Sequence, residues 1–359
     1  MNRIYNFSAG PATLPLETLQ QAQADFIDYQ GSGMSIMEMS HRGKHYDAVH
    51  QEALANFREL LAVPDTHEIV FMQGGATSQF SFVPMNLLHP GQTADYINSG
   101  AWAKKAIAEA KVFGNVNVAA DFGKEIPTRQ AYADELKLTP GAAYLHTTSN
   151  ETISGAQIKV FPDSDAPLVS DMSSDILSRT LDISKFGLIY AGAQKNLGPS
   201  GVTLVIVRKD LAEQANANIP EMFKYQTHIE NQSLYNTPPT FAVYMLCLVT
   251  RWLKAQGGVA AMEAVNNRKS GKLYDMIDRT DFYRGTALPE FRSTMNVTFR
   301  LPTEELEAAF IKEAKAQHMD GLKGHRSVGG IRASIYNAFP EAGVDALVSF
   351  MKDFEAKHG

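Results

Sequence analysis

The chain has 359 residues, 44% of them hydrophobic and 20% charged, which suits a folded protein long enough for two domains. Its formal net charge of −6 gives no global positive field for nucleic acid or an anionic membrane, so any anionic ligand has to be held by local cations. The single cysteine, Cys247, rules out an internal disulfide and a cysteine-based zinc cluster, and none of the ten histidines lies in an H-E-x-x-H arrangement, so no metal site is expected. Residues 1–11 show no charged segment followed by an apolar stretch, and no run approaches the about 18 apolar residues of a membrane-spanning helix. The expectation is a cytoplasmic protein.

Taken in chain order, the apolar spacing predicts a helix over Leu16–Tyr29 and another over Tyr46–Leu61, closed by Val63-Pro64. A strand over Glu68–Met72 runs straight into Gly74-Gly75 and a helix. Asp95–Asn98 reads as a strand, Trp102–Lys111 as a helix, and Val116–Ala119, Ala142–His146 and Pro167–Ser170 as further strands. Alternation of this kind implies helices crossing over between parallel strands. Leu188–Tyr190 and Gly201–Val207 follow each other without a helix, which predicts a local antiparallel excursion. Two long helices follow, Thr240–Gln256 and Gly258–Thr280. The pattern then changes to a strand over Ser293–Arg300, a helix over Thr303–Gln317, a strand over Ile331–Ile335 and a last helix over Glu341–Lys357. The reading is a large domain over residues 1–256 and a smaller α+β domain over 257–359.

Parallel α/β sheets bind ligands at the carboxyl ends of their strands, and three suggestive segments fall there. Gly74–Ser78 follows a strand; it is either an ordinary strand-to-helix turn or a cup where glycine lets backbone N–H groups reach an anion. Asp171 ends a strand and serves either as a turn cap or as a buried carboxylate that holds a ring nitrogen protonated. Lys195 lies among small residues between two apolar strands, where a lysine is either solvated or, if desolvated, a competent amine nucleophile. Neither G-x-x-x-x-G-K-[ST] nor G-x-G-x-x-G is present, which argues against a nucleotide-binding α/β protein. Cys247 sits in an apolar helix, where a cysteine is usually inert packing.

A glycine turn, an aromatic, an aspartate at a strand end and then a lysine resemble the layout of the class V aminotransferases. The segments Asn6–Ala12, Met39–Lys44, Ser149–Gly155, Ala193–Gly201, Tyr235–Thr240 and Gly324–Ser334 resemble the phosphoserine branch of that family over nearly the whole chain. The resemblance implies a fold-type I pyridoxal-phosphate enzyme: a large domain with a mainly parallel seven-stranded sheet, a smaller C-terminal domain, and residues 1–15 packed with the latter. It implies that Lys195 carries pyridoxal 5'-phosphate as a Schiff base, Asp171 pairs with the pyridinium nitrogen, Trp102 stacks on the ring and Thr152 bonds near the ring hydroxyl. Ala76 and Thr77 would give backbone donors to the cofactor phosphate, with Gln194 beside it. Asn236 and Thr237 would reach the phosphate of a neighbouring subunit, which implies a homodimer with composite sites.

On the substrate side, the resemblance gives Arg332 the α-carboxylate and His41, Arg42, His325 and Arg326 the distal anion, phosphate in one half-reaction and the γ-carboxylate of glutamate in the other. The implied substrates are glutamate and a phosphorylated keto acid in serine biosynthesis, with a four-carbon relative from pyridoxine synthesis as a further candidate. Thr77 departs from some relatives that carry an arginine there, which shifts the load onto Arg42 and Arg326. A small-amino-acid transaminase of the serine– or alanine–glyoxylate kind shares the fold and is the alternative; it has no need of two His-Arg pairs. A cysteine desulfurase would need a reactive cysteine on a mobile loop.

Overall fold

The computed structural model describes residues 3–122, 128–216 and 218–359. Its centre is a seven-stranded sheet built from β1 (His67–Met72), β2 (Thr93–Asn98), β3 (Asn115–Asp121), β4 (Leu145–Thr148), β5 (Leu168–Asp171), β6 (Phe186–Gly192) and β7 (Thr203–Arg208). In space the order is β1-β7-β6-β5-β4-β2-β3. Every pairing is parallel except those of β7, which runs antiparallel to both β1 and β6. That is the expected excursion, and it leaves β1, β2, β4, β5 and β6 ending on the same edge.

Strand alternation splits the core into two layers. Ile69, Phe71, Leu145, Ile189, Leu204 and Ile206 face one way and join Val49, Phe57 and Leu246. These come from helix α2 (Lys44–Leu60) and helix α7 (Thr240–Ala255). Val70, Tyr96, Val169, Val205 and Val207 face the other way, onto Phe80, Val83 and Ile107. Those sit on α3 (Gly75–Leu87) and α4 (Ala101–Ala110); the short helices α5 (Lys209–Glu213) and α6 (Tyr225–Glu230) follow β7 in the chain. Helix α2 buries Tyr46, Val49, His50, Ala53, Asn56 and Phe57, one stripe at helical spacing.

A separate core holds Leu273, Phe299, Phe310, Ile331, Phe350 and Phe354, and Phe7 joins it. Here β8 (Arg284–Gly285), β9 (Asn296–Arg300) and β10 (Ile331–Ser334) form an antiparallel sheet, with α8 (Gly258–Asp278), α9 (Glu304–Ala316) and α10 (Glu341–His358) around it. Tyr5–Asn6 pairs in parallel with Met319–Asp320.

Three elements differ from expectation for identifiable reasons. Helix α1 (Leu16–Asp25) stops before Tyr29, because the Asp28 carboxylate accepts the Gly33 N–H at 2.7 Å and turns the chain through Gln30, at φ 53°. The strand read over Ser293–Arg300 begins only at Asn296; the Ser293 hydroxyl accepts from the N–H groups of Met295 and Asn296 at 3.0 and 2.9 Å and makes a turn instead. The strand read over Ala142–His146 is shifted to Leu145–Thr148, and both Ala143 and Tyr144 still bond β2 through their backbones. Among the described residues no helix is long and apolar enough to cross a membrane.

Candidate active site

Lys195 lies in the loop between β6 and β7. That loop is a compact turn: the N–H groups of Leu197 and Gly198 both donate to Ala193 O. The amino-terminal segment lies over it. Ala12 N–H donates to Gln194 O at 3.0 Å, and a Cβ on Gly10 would come within 3.3 Å of Lys195 Cγ. The Lys195 Nζ stands 5.3 Å from the centroid of the Trp102 ring. Burial pushes its amine below the ordinary lysine value, the carboxylates of Asp171 and Glu151 pull it back up, and the Arg332 charge lowers it further.

Asp171 is the last residue of β5 and is buried. Its Oδ1 accepts from Ser173 N–H at 3.0 Å and Ser173 Oγ at 2.7 Å, and Ser173 Oγ itself accepts from Gly192 N–H at 3.0 Å. One serine therefore ties the carboxylate to the end of β6. Among the described residues no hydrogen bond reaches Asp171 Oδ2. Burial raises this carboxyl above its usual range, opposed by the Lys195 charge and the two Ser173 bonds.

Helix α3 begins immediately beyond β1. Gly74, at φ 91°, turns the chain there, and no side chain caps the helix. The N–H groups of Gly75, Ala76 and Thr77 are without a partner among the described residues, the condition in which a helix start takes an anion. A Cβ on Gly192 would fall 2.8 Å from Gln194 Oε1 and 3.4 Å from Ala76 N, so only glycine lets the Gln194 amide fold over this helix start.

Trp102 is held in place by its Nε1–H, which donates to Thr152 Oγ1 at 3.2 Å. Arg332, on β10, donates from Nη1 to Thr152 O at 3.1 Å, and its buried Nε has no partner among the described residues. A strand of the separate core thus reaches the same spot. Burial holds the His325 imidazole below the ordinary value, and the nearby charges of Arg332, Arg326 and Lys105 push it the same way. His325 Nδ1 lies 2.7 Å from Ser327 Oγ and accepts the Ser327 N–H at 3.3 Å, a pairing that suits the tautomer with its proton on Nε2.

The single chain therefore gathers Lys195, Asp171, Trp102, Thr152, Gln194, Arg332, His325 and the α3 start. It does not bring all the expected residues together. Asn236 shares a small cavity of about 210 Å³ with Gly74 and Ser78, and Gln73 Nε2 donates to Thr237 O at 3.2 Å. His41 and Arg42 make no described hydrogen bond or ion pair with this group. Cys247 is buried in α7, where burial pushes its thiol up to about 12.

Glu151 was not singled out from the sequence. Its carboxyl is buried, accepts from Ser99 Oγ at 2.8 Å through Oε1, and leaves Oε2 without a partner among the described residues. Burial drives it up to about 7, with Asp171 pushing the same way and Lys195 and Ser99 opposing. A Cβ on Gly100 would stand 2.8 Å from this carboxyl, and that glycine next to Trp102 is the one sequence signal for it.

These groups fit pyridoxal phosphate. The unpartnered helix start suits a phosphate, the free Asp171 Oδ2 a ring N–H, the Trp102 face a flat ring, and the desolvated Lys195 amine an aldehyde carbon.

Residues 4–347 match the aminotransferase class-V family. A phosphoserine aminotransferase of Niallia circulans is 54% identical over 359 residues, covering 99% of each chain. The solved phosphoserine aminotransferase of Bacillus circulans subsp. alkalophilus superposes with a TM-score of 0.97 at 53% identity, covering 99% of each chain. A pyridoxal-phosphate-bound phosphoserine aminotransferase from Trichomonas vaginalis superposes with a TM-score of 0.94 at 42% identity, covering 98% of this chain and all of that one.

Proposed function

The chain belongs to the class-V aminotransferase family, and we propose that it moves an amino group between L-glutamate and 3-phosphohydroxypyruvate, giving 2-oxoglutarate and O-phospho-L-serine. The observation that carries this is the convergence of Lys195, Asp171 and Trp102 on an uncapped helix start, with Arg332 and His325 of the second domain alongside.

Pyridoxal phosphate, when bound, supplies an aldehyde that takes up the amino group and a ring that draws electrons from the Cα–H bond. The Lys195 amine, whose protonated form burial disfavours, accepts the proton from the amino acid's Cα. Asp171, anchored by Ser173 through one oxygen, has its other carboxylate oxygen available and would stabilise positive charge on a ring nitrogen. Ala76 and Thr77 N–H and the Gln194 amide bind phosphate at the α3 start. Trp102 and Thr152 set the plane of the ring. Arg332 binds the α-carboxylate by a planar, two-pronged contact. His325 donates from Nε2 to the distal anion together with Arg326.

The same reading assigns His41, Arg42, Asn236 and Thr237 to the site of a second subunit. Phe26, Ile27, Met37 and Tyr235 are 47, 79, 53 and 45% exposed, apolar surface that a homodimer would cover. The reading places this activity in the cytoplasm.

The test is the absorbance of the purified protein. Glutamate should bleach the bound chromophore, and 3-phosphohydroxypyruvate should restore it in a single turnover. Restoration by pyruvate or glyoxylate but not by the phosphorylated acid would replace this reading with a small-amino-acid transaminase.

A further inference from the structure

The segment that carries His325 and Arg326 is short of ordinary support. It runs from Gly324 to Gly330 between two backbone contacts, Gly324 N–H to Gly330 O at 2.8 Å and Arg332 N–H to Leu322 O at 2.8 Å. Internally it closes on itself, with Val328 and Gly329 N–H groups donating to His325 O at 3.0 and 2.9 Å. Such a loop is mobile unless something outside it grips the backbone.

Two residues of the second domain do so from one side. Arg300 ends β9 and Glu307 faces it from α9, with Arg300 Nε donating to Glu307 Oε1 at 2.5 Å. The guanidinium uses a second donor, Nη1, on Val328 O at 2.8 Å. The carboxylate uses its second oxygen, Oε2, to accept Gly330 N–H at 3.1 Å. Each partner of the ion pair therefore holds one backbone group of the loop. The Glu307 side chain is only 8% exposed, so water competes weakly for these bonds. The fit is close: a Cβ on Gly330 would fall 2.7 Å from Arg300 Cδ, and Gly330 sits at φ 72°, so glycine is needed for both space and backbone.

We propose that Arg300 and Glu307 are positioning residues for substrate choice, a bracket that fixes the Gly324–Gly330 loop so that His325 and Arg326 meet the distal anion. The proposal rests on the roles given to His325 and Arg326 under the proposed function. The bracket touches no substrate itself. It acts on binding of the distal group and leaves the chemistry at Cα to Lys195. An arginine suits this place because one planar group can serve a carboxylate and a carbonyl at once, which a lysine ammonium does less well.

The test compares Arg300→Met, Arg300→Lys and Glu307→Gln in the holoenzyme. With Arg300→Met, KM for O-phosphoserine and for glutamate should rise on the order of tenfold while kcat stays within about twofold, and alanine turnover should be unchanged. Arg300→Lys should recover part of the loss. Glu307→Gln, which keeps shape and folding, should show the same pattern in milder form. Amide hydrogen exchange over residues 324–330 should speed up in all three, least in the lysine variant. An equal loss for alanine, or unchanged exchange in this loop, would overturn the bracket. If the unmutated enzyme already treats alanine like O-phosphoserine, the proposed function has failed, and exchange in the loop alone then decides for or against the bracket.

Discussion

Asn196, the residue after Lys195, accepts the backbone N–H of Asn337 on its Oδ1 at 2.9 Å and donates its Nδ2 to Ile176 O at 2.5 Å. Asn337 in turn donates to Leu177 O at 2.9 Å and accepts from Asn266 at 2.8 Å. All of these groups are buried. The loop that presents the lysine is thus stitched to a segment 141 residues on in the chain, between β10 and α10.

Asn196→Ala removes both bonds and strands a buried N–H and a buried carbonyl, at a cost of about 1–3 kcal/mol each. Urea unfolding should show a midpoint clearly below the parent, and kcat should fall because the lysine loop loses its anchor. Asn196→Asp, which still accepts from Asn337, should lie between the two. Unchanged stability and rate in the alanine variant would show that the contact is incidental.

Lys195→Ala should still fold and lose all turnover. The side chain makes no described hydrogen bond, so its loss strands no hydrogen-bond partner, although Asp171 and Glu151 lose the charge that faces them. Borohydride reduction of the parent followed by peptide mapping should place the cofactor adduct on Lys195; an adduct on another lysine would remove Lys195 from the mechanism.

Asp171→Asn keeps the shape and the Ser173 bonds available to an oxygen, so cofactor should remain bound. An amide cannot stabilise a ring N–H⁺ as a carboxylate does. Single-turnover rates with glutamate should drop by two or more orders of magnitude by roughly the arithmetic of a lost charge-assisted contact. Rates near the parent's would leave Asp171 as a turn residue only.

Much of this was open to reading from the sequence because local pattern and local chemistry agreed. The apolar strands alternate, Gly74-Gly75 follows β1 directly, and Lys195 lies among small residues between two apolar runs. What stayed hidden depends on distant partners. Glu151 looks like one polar residue in a polar stretch until Ser99 and Gly100 close over it from the neighbouring strand end. Asn337 reads as a turn residue after a strand, and its meaning comes from Asn196. The Ser293 turn shortened a strand because a hydroxyl competed for two backbone N–H groups.

Glu151 makes a prediction about pH. Its folded value, about 7, lies above the ordinary 4.5. Between those limits the folded protein holds a proton that the unfolded chain has released, so stability falls as pH rises through that window. The groups facing it are Ser99, Asp171 and Lys195. Glu151→Gln keeps a neutral side chain at every pH and removes this slope. The melting temperature of the variant relative to the parent should therefore climb from pH 5 to pH 8, by an amount equivalent to on the order of 3 kcal/mol. A difference independent of pH would mean the carboxyl is ionised throughout.

Substrate choice separates the arginines. Arg332 lies against Thr152 beside Trp102, and the proposed function assigns it the reacting amino acid's α-carboxylate. Every amino acid carries that group, so Arg332→Ala should weaken O-phosphoserine, glutamate and alanine alike. Arg42 and Arg326 are assigned to the distal anion, which alanine lacks. Replacing either with alanine removes one charge-assisted hydrogen bond, worth roughly 1.5–3 kcal/mol, or on the order of 10–100-fold in kcat/KM. That loss should appear for O-phosphoserine and glutamate and leave alanine nearly untouched. Thr77 offers no charge to compensate, so the effect should sit at the upper end for the phosphorylated substrate. Arg42 adds a further check. It makes no described contact with the Lys195 group of its own chain, so its effect should vanish in a mixed dimer where the only functional lysine sits opposite an intact Arg42. A uniform loss across the three substrates from Arg42→Ala would mark that arginine as structural.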